Sequence, residues 1–128
     1  MKNKVISKIC LWVQALFYLG SGINHFVNPA FYLDLIPAWL PFKPGINALA
    51  GIGEILLGIG LILLPKYRQQ ISILIIILLL GLLPAHIYHL TIGGCLPNGF
   101  CIPIWACWVR IFLQFLLIYW AWSIRKVK

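Results

Sequence analysis

Acidic side chains are almost missing from this chain. Asp34 and Glu54 are the only two among 128 residues, against ten lysines and arginines, and charged residues of either sign make up 9%. A water-soluble domain needs a polar skin, and here 62% of residues are hydrophobic with a mean hydropathy of +0.99. That shortage excludes a soluble catalytic domain. A linker, a low-complexity tract and an internal repeat are missing too, so the length suits one domain over residues 1–128. The thiols and histidines show no C-x-x-C and no H-x-x-x-H spacing. A zinc or copper site would lack its usual ligand pattern, and no metal is expected.

What the chain does have is long apolar runs. A transmembrane helix needs about 20 apolar residues rising about 1.5 Å each. Four stretches meet that length: roughly Val5–Phe26, Gly45–Leu64, Ile71–Leu90 and Ile104–Ile124. They predict an all-α fold, a bundle of four transmembrane helices with a short interfacial segment between the first and second. In that connection, "VNPAFYLDLIPAWLPFKP", Asn28 followed by Pro29 is a helix start. The residues after it are too few to span. With Phe31, Tyr32, Trp39 and Phe42 they suit an interfacial helix or a re-entrant turn, and Pro37, Pro41 and Pro44 stiffen the return. Trp105, Trp108, Trp120 and Trp122 read as an aromatic belt. Gly51, Gly53, Gly58 and Gly60 let backbones approach closely, so the second span is expected to be the best-packed helix.

A net charge of +8 could suggest a nucleic-acid partner. Its distribution says otherwise. Lys2, Lys4 and Lys8 flank the first span, Lys66 and Arg68 link the second to the third, and Arg125, Lys126 and Lys128 follow the fourth. With four spans these places share one side, and only Lys43 lies in the opposite loops. Basic residues are retained on the cytoplasmic face. The expectation is a multi-pass protein of a bacterial inner membrane, both termini cytoplasmic, with loops 27–44 and 91–103 outside. The lipid bilayer is its partner, anionic lipid binding a by-product, and nucleic acid is not a partner. "MKNKVISKIC" begins like a signal peptide, but the apolar run passes twenty residues and "YLGSGINHF" offers no A-x-A cleavage site. The first helix is therefore expected to be retained.

An ionisable side chain at mid-bilayer costs about 2.5–3.5 kcal/mol on insertion scales, so each one is a functional candidate. At about 100° per residue, Gln14, Tyr18, Ser21 and His25 share one stripe of the first span. Asn47, Gly51, Glu54 and Gly58 share one of the second. His86 and His89 are neighbours on the third, Arg110 and Gln114 on the fourth. The polar groups sit in the outer half, which predicts a pocket opening outward rather than a channel. Glu54 and Arg110, the only acid and cation at that depth, are expected to pair, because an unpaired charge would be far costlier. Either that pair only sets helix register, or it joins His86 and His89 in a pocket for a quinone or a similar polar-headed lipophile. There the histidines would move protons and hydrogen-bond ligand oxygens, and Arg110 would stabilise a developing anion. His25 with His86 or His89 would also satisfy the two-helix geometry of a bis-histidine haem, though nothing else supports haem.

Cys95 and Cys101 lie in "GGCLPNGFCIP", where Pro97, Asn98 and Gly99 favour a turn. In an oxidising compartment a disulfide is the expected outcome, more as a staple than as a redox-active pair. Cys107 lies nearby as a possible exchange partner, and Cys10 reads as a small apolar residue.

Four stretches, in order, carry a resemblance: "GINHFVNPAFYLDLIPAWLP" at 22–41, "GIGEILLGIGLILLP" at 51–65, "LPAHIYHL" at 83–90 and "WVRIFLQFLLIYWAW" at 108–122. Together they resemble the DoxX family of small four-helix membrane proteins over most of the chain. The resemblance implies a four-helix integral membrane fold and a link to quinone-coupled oxidoreductase assemblies, since family members are similar to the small subunit of a thiosulfate–quinone oxidoreductase. It marks His25, Glu54 and Arg110 as the distinctive polar positions. His86, where related sequences often have Asn, and the Cys95–Cys101 loop depart from the pattern.

The leading expectation is therefore a membrane subunit or accessory protein of a quinone-linked redox system. Its outward-facing pocket would be formed by His25, Glu54, His86, His89, Arg110 and Gln114, and its partners would be redox proteins or a second copy of the chain. The alternative is a non-enzymatic scaffold or assembly factor whose polar stripes only align helices. A transporter fits poorly, because the inner half offers no polar path.

Overall fold

A computed structural model describes residues 3–128, so the topology signal read at Lys2 lies outside the described residues. Four long helices, α1 (Lys4–Val27), α3 (Lys43–Leu63), α4 (Arg68–Thr91) and α5 (Ile104–Ile124), form the bundle. They cover the expected spans with ends moved by three residues at most. A short helix, α2 (Pro29–Leu35), lies between α1 and α3, and a single 3-10 turn (Pro65–Tyr67) joins α3 to α4. All four long helices are apolar enough to cross a membrane.

Local chemistry sets the helix ends. Asn3 caps α1, its side-chain oxygen accepting from the Val5 N–H at 2.9 Å. Pro29 stops α1 and starts α2 at its first position, where a missing N–H does no harm. Phe42 takes a left-handed conformation at φ 62° just before α3. Pro84 falls inside α4, yet the helix continues through it to Thr91.

The outer faces are apolar, unlike those of a soluble bundle, and several polar side chains are buried beside an apolar core. Trp12, Leu16, Leu56, Ile77, Phe112 and Phe115 are exposed on outer faces, whereas Gln14, His25, Glu54, Ser72, His89 and Gln114 are buried. Lipid is the solvent such a surface suits, and the chain is a multi-pass membrane protein. The helices pack chiefly in two pairs, α1 on α3 and α4 on α5, with α3 joining them through α4. In the first pair, a Cβ added at Gly22 would lie 2.7 Å from the Gly51 carbonyl oxygen, and one at Gly58 would lie 2.8 Å from that of Ala15. Those glycines let the two backbones touch. Gly60 faces Ile71 of α4, while Gly53 faces nothing. α3 is the most buried of the long helices.

The two ends of the bundle differ. Leu11, Tyr18, Leu61, Ile71, Ile75, Ala121 and Ile124 fill an apolar core toward the end that carries Lys4, Arg68 and Arg125, the basic end. Toward the other end the core gives way to polar side chains, and α2 packs against α1, α3 and α4 there.

Candidate functional site

A cavity of about 320 Å³ lies at the centre of the bundle, above the apolar core. α1 contributes Phe17, Tyr18, Ser21 and His25, and α2 contributes Phe31, Tyr32 and Leu35. Glu54 enters from α3, His86 with Leu79, Leu82 and Ala85 from α4, and Arg110 and Gln114 with Leu113 and Leu117 from α5. Two lining residues, Phe17 and Leu113, are also about half exposed on the outer surface, at 46% and 47%. They bring the cavity wall to the exposed apolar surface of α1 and α5.

On the α1–α3 side, His25 is held from three directions. Asn47 Nδ2 donates to the His25 carbonyl oxygen at 3.0 Å, which leaves Asn47 Oδ1 to accept from His25 Nδ1 at 2.7 Å. Tyr32 stacks on the imidazole with centroids 3.8 Å apart, and its hydroxyl accepts from Asn24 Nδ2 at 2.7 Å. With the Nδ1 proton committed to Asn47, His25 Nε2 turns its lone pair toward Glu54 Oε2, 3.8 Å away. That is a contact, not a hydrogen bond. A proton on either atom, together with a small approach of the two side chains, would make it one.

On the α4–α5 side, Arg110 Nη1 donates to His89 Nδ1 at 2.7 Å, and His89 Nε2 donates to the Gly94 carbonyl at 2.8 Å. Arginine only donates and a carbonyl only accepts, so these bonds fix His89 as the neutral Nε2–H tautomer. Gly94 sits at φ 82°, and a Cβ there would collide with the Ile102 carbonyl oxygen. Its own carbonyl also accepts from the Ile102 N–H at 2.9 Å. Gln114 is anchored as well, donating from Nε2 to the Leu79 carbonyl at 3.0 Å.

Three buried polar atoms of the cavity wall have no protein partner within hydrogen-bond distance: Glu54 Oε2, His86 Nδ1 and Tyr18 Oη. One turn below Tyr18, the Gln14 side chain is wholly buried and its amide is equally unpartnered. A buried polar group left unsatisfied costs about 1–3 kcal/mol, and such groups in a native interior call for an explanation. The wall is thus mostly apolar, with a few convergent polar atoms able to hold a ligand.

The structure brings five of the six expected pocket residues, His25, Glu54, His86, Arg110 and Gln114, to one cavity. His89 stands behind Arg110 instead of facing the cavity. Two expectations change. Glu54 and Arg110 do not pair: Arg110 reaches His89, and Glu54 approaches His25. The reason is the pairing of helices, since α3 packs on α1 and α5 on α4, which leaves the two residues on opposite walls. Nor is His89 poised with His86, because its ring is held between Arg110 and the Gly94 carbonyl. Phe31 and Tyr32, expected only as interfacial aromatics, line the cavity on its α2 side; Asn28–Pro29 located their helix but not the face it turns inward.

Cys95 and Cys101 form a disulfide, and the described residues leave Cys107 buried and free, with Cys10 free and half-buried. The turn between them is closed by Leu96 N–H to the Phe100 carbonyl at 2.8 Å. Phe100 meets Phe31 of α2 edge-on, with centroids 5.2 Å apart. The disulfide loop therefore packs on the segment that covers the cavity. Among the described residues no cluster of three histidine, cysteine or acidic side chains could hold a metal ion.

A family profile described as "Domain of unknown function (DUF8561)" matches residues 14–125. No curated protein and no solved structure matches the chain.

Proposed function

The chain belongs to the DUF8561 family, whose description assigns no activity, and from that premise we propose that its central cavity holds the polar head of a membrane-soluble, quinone-like ligand. In this reading the protein is a membrane subunit or accessory protein of a quinone-linked redox system. The observation that carries it is the cavity itself: mostly apolar, about 320 Å³, reaching the exposed apolar surface at Phe17 and Leu113, with Glu54 Oε2, His86 Nδ1 and Tyr18 Oη unpartnered inside it. The volume falls in the range of about 300–1,000 Å³ used for small molecules. A lipid-soluble ligand would enter between α1 and α5 and leave its tail in the bilayer. The resemblance to DoxX proteins supports the same class.

A bound quinone would supply two-electron, two-proton carrier chemistry; the chain supplies the rest. Arg110, steadied by His89, would donate to one ligand oxygen, and the unpartnered Tyr18 hydroxyl would be free to donate as well. Glu54 and His86 can hold or release a proton at the ligand. α2 with Tyr32 and Phe31 shields these groups from water. The charge distribution supports both termini in the cytoplasm of a bacterial cell, which would turn the α2 end outward toward a redox partner.

The test is binding. Lipid extracted from purified protein should contain a quinone by mass spectrometry, and a short-tailed quinone analogue should quench tryptophan fluorescence saturably. Glu54→Gln should weaken that binding at least tenfold while leaving the melting temperature nearly unchanged. The absence of both co-purified quinone and saturable quenching would end the proposal. A second reading, a scaffold whose polar residues align helices, is favoured by the double Asn47–His25 bond across α1 and α3. Loss of folding in Glu54→Gln would support it.

A further inference from the structure

The basic end of the bundle holds a second cavity of about 450 Å³, between the start of α1 and the residues that follow α5. Lys4, Lys8, Lys126 and Lys128 line it, with Ser7 and Ser123. Among the described residues none of these ammonium groups meets a carboxylate within 4.0 Å. The acidic side chains of the chain cannot supply one: Glu54 lines the central cavity, and Asp34 belongs to α2 at the other end. Four like charges around one hollow repel one another, and an anion from outside is their natural complement. α1 also begins here, so the positive end of its helix dipole adds to the field.

Depth narrows the source of that anion. Trp122 is exposed beside the cavity, and the Arg125 guanidinium stacks 3.6 Å above its ring. An aromatic side chain with a cation over it belongs at the membrane–water boundary, where lipid headgroups lie. α1 and α5 otherwise touch little, since each packs mainly on another helix. We propose that this cavity is a binding site for the phosphate of an anionic phospholipid headgroup, which ties α1 to α5 at the basic end. The site is independent of whatever occupies the central cavity.

The experiment compares the full chain in nanodiscs of phosphatidylcholine alone, the same with added phosphatidylglycerol, and phosphatidylcholine with inorganic phosphate in the buffer. Phosphatidylglycerol should raise the melting temperature and remain bound in native mass spectrometry. At about 1 kcal/mol per basic residue near the surface, Lys8→Gln with Lys126→Gln should weaken retention roughly thirtyfold. Lys66→Gln removes a charge at the same end but outside the cavity, and should retain the lipid. Equal loss in Lys66→Gln, or no preference for phosphatidylglycerol, would overturn the site in favour of diffuse attraction. If inorganic phosphate alone produces the shift, the lipid assignment fails. Should the first double variant not fold, Lys4→Gln with Lys128→Gln is read in the same way.

Discussion

His86 and His89 differ by one turn of α4 and by everything that surrounds them. His89 is buried between the Arg110 guanidinium and the Gly94 carbonyl, and the carbonyl also has the Ile102 N–H. His89→Ala would strand Arg110 alone, and a loss of roughly 1–3 kcal/mol is expected in the detergent-solubilised protein, read as a lower melting temperature. His86 makes no hydrogen bond through Nδ1 and faces the cavity. His86→Ala should change stability by less than about 1 kcal/mol while weakening ligand binding, so the two substitutions separate support from contact. Arg110→Lys tests the same geometry from the other side. A lysine has one point charge where arginine has a fork, and it cannot bond His89 and a ligand oxygen in the same arrangement. Binding should fall about tenfold or more in the fluorescence titration while the fold persists.

Helix pairing is where sequence reasoning reached its limit. Apolar runs of about 20 residues announced the four spans, and Asn28–Pro29 announced α2. Periodicity also gave the inward stripe of each helix, which is why five of six pocket candidates meet in one cavity. Periodicity does not say which helix stands opposite which stripe. Glu54 and Arg110 looked like partners because they were the only charges at their depth, yet the bundle places a histidine beside each. The inward face of α2 was equally hidden, because Phe31 and Tyr32 would look the same at an interface. The glycines give a sharp test of the pairing. Gly22→Ala would press a methyl into the Gly51 carbonyl and Ile55 and should cost about 1–3 kcal/mol, with α1 pushed off α3. Gly53→Ala meets nothing within 4 Å and should be neutral or stabilising by up to about 1 kcal/mol, because alanine is the better helix former. Paired melting curves decide between them.

At the scale of the molecule, the two ends behave as separate devices: a ring of lysines at one, and α2 with the disulfide loop at the other. Peptide mass mapping without reductant should recover Cys95 joined to Cys101. Replacing both with serine should cost about 2 kcal/mol for so short a loop and loosen Phe100 from Phe31. The pairing of α1 with α3 also imposes an order of assembly. α4 and α5 are consecutive and can close as a hairpin as soon as both are made. α1 and α3 are consecutive spans too, but α2 comes between them, so Asn47, Gly51 and Gly58 are synthesised only after α1 and α2 are complete. During that interval Gln14, Tyr18 and His25 lack the helix that will cover them. A newborn α1 must therefore wait, at the insertion machinery or at the membrane surface, until α3 arrives to lock it in place.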